Sequence, residues 1–218
     1  MSRIELEAVA LTERETRKGS VAAQDLMDAA VGLLDSHRSV STLSLREIAR
    51  AAGIAPNTFY RHFRDVDELT VAVIDQAGRS LRGIIREARQ RLSIERSAIR
   101  TSVEAFMDQL DADQRYLHVL LREMSTGSEA FRQAVDRELS YFEDELREEL
   151  EKISAATGHK VHEPGLAAKA ITRLVVAMGA SAADASKERR GEITEQTVVM
   201  IRMIMEGAEQ LARKAAKA

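Results

Sequence analysis

Residues 43–69 have the sequence LSLREIARAAGIAPNTFYRHFRDVDEL, which reads as two short helical segments with a sharp turn between them. Ser44 and Glu47 form the S-x-x-E pattern of a capping box, in which each side chain accepts a hydrogen bond from the backbone N–H of the other residue. Gly53 can end the first helix because it has no Cβ and adopts a left-handed cap easily. Pro56 suits the first turn of the second helix, where a missing N–H costs least. The segment is therefore predicted to be a helix-turn-helix.

The second helix of this unit is predicted to have one buried face and one exposed face. At about 100° per residue, Pro56, Phe59 and Phe63 fall on the same side of the helix, and we expect them to face inward. The opposite side then carries three polar residues that can contact base edges, namely Asn57, Thr58 and Arg61. Further residues on the flanks and on the first helix are suited to contacts with DNA: Tyr60, His62 and Arg46.

The charge of the chain is unevenly distributed. The formal net charge is −3, but residues 36–64 contain five arginines and one acidic residue, Glu47. A small basic region on an acidic chain is typical of a localised phosphate-binding surface. It also argues against a protein that binds nucleic acid over its whole surface. DNA binding by this region is therefore the predicted function.

The composition of the 218 residues favours an all-α fold, since there are only 2 Pro and 11 Gly and the apolar residues mostly recur at helical spacing. The absence of cysteine excludes disulfides and thiolate metal sites. The mixed charges at the N-terminus do not resemble a secretory signal. The most apolar run, residues 174–180, is much shorter than the roughly 20 residues of a membrane span. We expect a cytoplasmic protein.

The periodicity divides the chain into an arm and two domains. Residues 1–19 lack an apolar stripe and are predicted to be a flexible arm. Residues 20–64 are predicted to form a three-helix DNA-binding domain, and residues 65–218 a larger helical domain. Asp65 is the expected N-cap of a long helix reaching about residue 92. Further helices are predicted at about residues 95–110, 112–124, 128–155, 165–186 and 192–214.

The segment quoted first resembles the signature of the TetR family of transcriptional regulators, in which I-A-x-x-A-G-I-A and F-Y-x-H-F precede a long fourth helix. The resemblance covers residues 20–75. It implies a TetR-like fold and a dimeric repressor, with no cofactor and no enzymatic activity. By position, the family roles would place Arg46, Asn57 and Thr58 at bases. They would place three other residues at the DNA backbone, namely Ser44, Tyr60 and His62.

The sequence departs from the family at the start of the fourth helix. Many members have a lysine there that holds a phosphate, whereas this chain has Val66 between Asp65 and Asp67. Arg61 or Arg64 is expected to take over that phosphate contact.

Several segments are more narrowly similar to the fatty-acid regulators FabR and DesT, which sense acyl thioesters: REIARAAGIAP, FYRHFRDVDEL, RTSV and LLRE. This similarity implies control of genes for unsaturated fatty-acid synthesis in response to long-chain acyl-CoA. The alternative is control of efflux or catabolic genes by another hydrophobic small molecule. Residues expected to line the effector cavity are Phe106, Met107, Leu110, Leu117, Leu120, Leu121, Phe131, Val135, Leu174, Val175 and Met178. Cations expected near its mouth for the coenzyme A phosphates are Arg86, Arg89, Arg122 and Arg132.

The last two helices are predicted to pair with those of a second copy around a twofold axis. One carries small side chains that permit close approach, at Ala177, Gly179, Ala180 and Ala183. The other has an apolar stripe formed by Ile193, Thr197, Met200, Ile204, Ala208 and Leu211. A homodimer of this kind would place its recognition helices about one turn of DNA, roughly 34 Å, or a multiple of it apart. A palindromic operator is then expected.

Two other classes of function are considered. An enzyme has little support, because the histidines are scattered and neither a glycine-rich phosphate loop nor a Ser-His-Asp set is present. His159, His162 and Glu163 could approach a metal ion, but they fall in a predicted loop and are expected to be solvated, so no metal site is predicted. A module that binds only other proteins is the second class. Salt-dependent binding to duplex DNA would distinguish it from a regulator.

Overall fold

The computed structural model describes residues 22–34, 42–90, 98–112, 121 and 128–217. Every regular element within these residues is a helix, and the prediction of an all-α fold is confirmed. The predicted arm and most of the predicted helix at 112–124 lie outside the described residues. The helices are α1 (22–32), α2 (Leu45–Ala51), α3 (Pro56–Phe59), α4 (Val66–Gln90), α5 (Ala98–Ala112), α6 (Glu129–Thr157), α7 (Pro164–Ala183) and α8 (Lys187–Ala215).

Helices α1 to α3 and the start of α4 share a closed hydrophobic core. Leu26, Ile48 and Phe59 are completely buried in it, and Phe63 is 7% exposed. Burial of an aromatic or aliphatic side chain of this size contributes roughly 1.5–3 kcal/mol. The prediction that Pro56 also faces inward is wrong, since Pro56 is exposed at the first turn of α3. The core explains how so short a helix keeps a defined orientation.

The ends of α2 and α3 follow from local hydrogen bonds. Ser44 and Glu47 form the predicted capping box at the start of α2. Gly53 has a φ of 68° and turns the chain after α2. The α-helical part of α3 ends at Phe59, and the chain continues as a turn in which the Phe63 N–H donates to the Phe59 carbonyl (3.0 Å). The side chains that follow Phe59 are therefore still held in a helical turn.

The larger domain is built around α4 and α6. The Asp65 carboxylate caps α4 by accepting from the Glu68 N–H (2.8 Å), as expected. Contacts between the two helices advance in the same direction along both, from Asp67 with Ser128 to Arg86 with Glu145, so α4 and α6 run parallel. Helix α7 packs on α6 and α8, while α5 packs on α4, α7 and α8.

Helix α7 is longer and more apolar than the run of residues 174–180 suggested. Its mean hydropathy is 1.4 over an 18-residue window, and by length and composition it could cross a membrane. A core helix of a soluble protein passes the same test. Ala168, Ile171 and Thr172 of this helix are buried, and Arg173 pairs with carboxylates of α6. These contacts hold α7 in the helical body.

The stripe predicted on α8 for the dimer interface divides into two sets. Ile193, Thr197 and Ala208 are at most 8% exposed and pack among the described helices of one chain. A side chain with almost no free surface in its own subunit has almost none to offer to another. Ile204 is half-buried and packs on the same core as Ile193. The remaining predicted residues are exposed, namely Met200, Leu211, Ala177 and Ala180.

Candidate nucleic-acid interface and effector cavity

The polar side of α3 stands on an aromatic anchor. Phe59 is fully buried, and its ring lies 5.9 Å from the ring of Phe63 and 6.0 Å from that of Tyr60. Tyr60 itself is 63% exposed, so this group of three aromatic rings extends from the core to the protein surface. The neighbours of Phe59 along the helix therefore point away from the core.

All seven residues predicted to contact DNA lie in α2, α3 or the adjoining turns, and none is buried. Ser44, Arg46, Asn57, Tyr60 and Arg61 are exposed, whereas Thr58 and His62 are half-buried. All seven side chains thus reach the solvent within the helix-turn-helix. Ser44 has a second task there, because its hydroxyl caps α2.

The basic side chains next to α3 differ in their freedom to bind a phosphate. Arg64 is held by Glu68, which accepts from the Arg64 backbone N–H at 2.6 Å and from Nε at 3.1 Å. These bonds, first from the backbone and then from the guanidinium, hold the pKa of Glu68 below its usual value. Arg61 forms no ion pair with a described residue. Of the two arginines considered for the phosphate contact, Arg61 is thus the better placed.

Polar and apolar contacts join the DNA-binding domain to the larger domain at the start of α4. The Ser128 hydroxyl, which also caps α6, donates to the Asp67 carboxylate (3.0 Å). Behind this bond, Val71 and Ile74 of α4 pack with Phe131 of α6. Leu34, after α1, packs against the same cluster. A shift of α4 against α6 would therefore change the contacts of the helix-turn-helix directly.

A cavity of about 960 Å³ lies between α4, α5, α6, α7 and α8. Its lining extends along α6 from Val135 to Thr157, a distance of about 33 Å at 1.5 Å per residue. Four predicted residues line it: Phe106, Leu121, Val135 and Val175. Its volume is in the range of pockets that hold drug-sized or larger ligands.

Other residues predicted to line the cavity do not. Met107, Leu110 and Phe131 are buried in the hydrophobic clusters behind the lining residues and do not line the cavity themselves. Leu174 and Met178 also pack on the core without lining the cavity. The periodicity identified them as apolar but could not show which side of each helix the cavity occupies. Leu117 and Leu120 lie outside the described residues.

Polar residues in the cavity wall were missed by the sequence analysis. Arg82 of α4 forms an ion pair with Glu138 of α6, and the two side chains are only 12% and 9% exposed. Glu145 joins the pair through Arg82 Nε (3.5 Å) and Arg86 Nη2 (2.9 Å). The sequence does indicate that Glu138 faces inward, because it continues the apolar stripe of α6 between Val135 and Phe142 at helical spacing.

The cavity opens at the end of α6. The lining residues there are exposed and define the cavity mouth: Glu148, Lys152, Ile153, Thr157 and His159. Of the cations predicted for the mouth, Arg86 lines the cavity. Arg132 does not, because it lies at the opposite end of α6, where it pairs with Glu129 (2.6 Å). The Arg89 side chain and Arg122 are outside the described residues, and His162 and Glu163 are exposed beyond the mouth.

The architecture defines a class of fold, a helix-turn-helix domain followed by a larger helical domain that contains a cavity. Residues 26–73 match the family model for bacterial regulatory proteins of the tetR family. Solved structures with a similar fold align with most of the chain. The fatty acid degradation regulator FadR from Bacillus halodurans is 19% identical with a TM-score of 0.69, covering 85% of this chain and 95% of its own.

Two further solved structures have the same fold. GusR from Salmonella enterica is 15% identical with a TM-score of 0.69, covering 85% of this chain and 95% of its own. SmeT in its complex with triclosan is 16% identical with a TM-score of 0.66, covering 86% of this chain and 91% of its own. The chain is thus similar to bacterial regulatory proteins of the tetR family over residues 26–73, and similar to these solved structures in its fold.

Proposed function

We propose that this protein is a repressor that binds a palindromic DNA operator as a homodimer and answers to a hydrophobic effector. The observation that carries the proposal is the exposed polar side of α3, set on the buried Phe59. Asn57 and Arg61 are exposed on a helix that is itself fixed by the core. Side chains presented in this way can form hydrogen bonds with base edges in the major groove.

The homodimer is supported by the outer surface of α7 and α8. Small residues are exposed on α7 at Ala177 and Ala180. Large apolar residues are exposed on the two helices at Leu166 (64%), Val199 (45%), Met200 (40%), Met203 (65%) and Leu211 (54%). An apolar surface of this kind is expected to be covered by a partner. A second copy related by a twofold axis would match it to itself.

The effector is proposed to occupy the cavity and to act through α4. Ile74, Leu81 and Ile85 of this helix line the cavity, whereas its first turn contacts the helix-turn-helix. An effector changes DNA affinity only if it binds two arrangements of the dimer with different affinity. A change in the tilt of α4 would alter the separation of the two recognition helices. No cofactor is needed for this response.

Long-chain acyl-CoA is the first candidate effector, and unsaturated fatty-acid synthesis genes would then be the regulated genes. It is supported by the similarity to the fatty-acid regulators, by the length of the cavity and by the likeness to the FadR fold. The second candidate is another hydrophobic molecule that controls efflux or catabolic genes. One observation favours the second candidate: the described lining contains five glutamates and only three lysines or arginines. This balance does not favour a polyanionic head group.

Operator binding can be tested with duplexes selected from a randomised pool by the purified full-length protein. The fluorescence anisotropy of a selected duplex should give an affinity that falls at least about a hundredfold between roughly 50 mM and 200 mM salt. A scrambled duplex of equal length is the control. Equal affinity for both duplexes would rule out sequence-specific recognition, and the absence of binding to either duplex would leave a module that binds only proteins.

A further inference from the structure

The Arg82–Glu138 pair has an unusual position for two charged residues. Both side chains line the cavity and are nearly buried, and the pair joins α4 to α6. The guanidinium lies 5.1 Å from the ring centre of Tyr141 and 5.6 Å from that of Phe142, so aromatic faces cover part of it. The pair is thus enclosed by protein on most sides and borders the cavity on another.

Gly78 makes this arrangement possible. A Cβ added at position 78 would lie 2.6 Å from Glu138 Cδ, which is closer than real Cβ contacts come. Any larger residue there would push the carboxylate away from Arg82. The backbone of α4 therefore leaves a space that the Glu138 carboxylate fills.

The contribution of this ion pair to the stability of the fold does not by itself explain why the pair is present. Desolvation of two charges offsets most of their attraction, and an apolar pair of similar volume would often stabilise the fold equally well. What the pair does supply is a fixed set of hydrogen-bonding groups in an otherwise apolar wall. A guanidinium has five N–H donors, more than the pairs of Arg82 with Glu138 and Glu145 use. A polar group of a ligand can therefore be bound at this point.

The surrounding charges determine which polar group fits. Each described cation of the wall faces a carboxylate: Arg82 with Glu138, Arg86 with Glu145, and Lys152 with Glu148. An anion that approaches Arg82 meets the two glutamates around it, and a cation that approaches Glu138 meets two arginines. An uncharged carbonyl or hydroxyl can bond to Arg82 while the ion pair stays intact.

We propose that Arg82 and Glu138 form the polar recognition point of the cavity and that they select an effector with a long apolar body and an uncharged polar group. This inference rests on the proposed effector response and names the chemical class of the effector. Val135 and Leu139, beside Glu138 on α6, pack in the cluster that contains Ile74 of α4. A ligand bound at the recognition point would therefore lie next to the contact between α4 and α6 that contains Ile74.

The test uses full-length protein with Nile red, an uncharged dye, bound in the cavity. Three ligands with the same alkyl chain, dodecanol, dodecanoate and dodecylammonium, compete for the site below the concentrations at which they aggregate. Dodecanol should displace the dye at a concentration about tenfold lower than either ion, the ratio expected for one retained bond to a charged group. Stronger displacement by dodecanoate or by dodecylammonium, or displacement by none of the three, overturns the proposal.

The variant Glu138→Gln keeps the shape of the side chain and removes its charge. Dodecanoate should then bind about tenfold better, because its carboxylate can replace the missing partner of Arg82, while dodecanol changes little. Glu143→Gln is the matched control, since Glu143 also lies on α6 and pairs with an arginine, Arg173, but does not line the cavity. Unchanged selectivity in Glu138→Gln contradicts the assignment. Thermal melts verify that both variants are folded.

Palmitoyl-CoA in the same assay distinguishes an uncharged effector from an acyl-CoA effector. If it displaces the dye better than dodecanol, the uncharged effector is wrong and the acyl-CoA response of the proposed function gains support. The selected duplex is titrated with the same protein preparation. Loss of specific DNA binding there would contradict the proposed function, whatever the dye experiment shows.

Discussion

Phe59 and Tyr60 are neighbours in sequence with opposite tasks. Phe59 is fully buried and holds α3 against the core, whereas Tyr60 is 63% exposed beside the residues proposed to contact bases. The division follows from helical geometry, since consecutive side chains are about 100° apart around the axis. One position therefore determines stability, and the next is free to bind DNA.

Replacing Phe59 by Ala should lower the free energy of unfolding of the protein by about 3–5 kcal/mol, because a large cavity is left in a closed core. Chemical denaturation measures the loss. Tyr60→Ala is the control and should change the stability by less than about 0.5 kcal/mol, while it weakens binding to the selected duplex. Similar stability for the two variants would show that Phe59 does not anchor α3.

Replacing Arg46 by Ala should weaken specific operator binding by about 1–3 kcal/mol if its guanidinium contacts a base. Arg46 is exposed on α2, so the fold should not change. Anisotropy titration at constant salt measures the effect, with Arg213→Ala, an exposed arginine near the end of α8, as the control. An equal loss on the selected and the scrambled duplex would instead assign Arg46 to the DNA backbone.

At the scale of elements, close packing decides how the helices of the larger domain meet. Gly179 lets α7 approach α5, because a Cβ at this position would lie 2.6 Å from Cε1 and Cζ of Phe106. Phe106 also lines the cavity. The same contact therefore determines both the spacing of two helices and the width of the effector site.

Replacing Gly179 by Ala should destabilise the protein by about 1–3 kcal/mol through overpacking and should also weaken Nile red binding. Gly83→Ala in α4 is the matched control, since nothing lies within 4 Å of an added Cβ there. That change should stabilise the protein by about 0.4–1 kcal/mol because it restricts the unfolded chain. The prediction fails if the two thermal melts shift in the same direction.

At the scale of the whole molecule, the proposed function requires two copies held at a defined distance. The exposed apolar surface of α7 and α8 lies apart from both the helix-turn-helix and the cavity wall. Met203 is 65% exposed on α8 and belongs to this proposed interface. Interface formation would therefore leave the DNA-binding surface and the effector site of each subunit free.

Replacing Met203 by Glu should convert the dimer to a monomer, because the twofold axis would bring two buried like charges together. Native mass spectrometry measures the mass, and operator affinity should fall at least about tenfold once the two half-sites are bound independently. Ala156→Glu, an exposed residue of α6, is the control. A dimeric Met203→Glu protein would place the interface elsewhere.

The helix-turn-helix was predictable from sequence because its signals are local. Ser44 with Glu47, Gly53 and the spacing of the two phenylalanines each depend on residues only a few positions apart. The faces of the larger domain were harder to predict. The stripe through Ile193, Thr197 and Ala208 is predicted to meet a second copy but is buried within one chain, since a periodic pattern does not distinguish a subunit core from an interface.

The amino-acid sequence by itself determined the helical class, the capped turn and the side of α3 that meets solvent, because hydrogen bonds and helical periodicity act over short stretches of chain. Only the tertiary structure decided which apolar residues line the cavity, which side of α8 stays exposed, and that Arg82 meets Glu138 56 positions away. Such pairings depend on how whole helices pack against one another, and the sequence around each side chain does not indicate which distant residue it will contact.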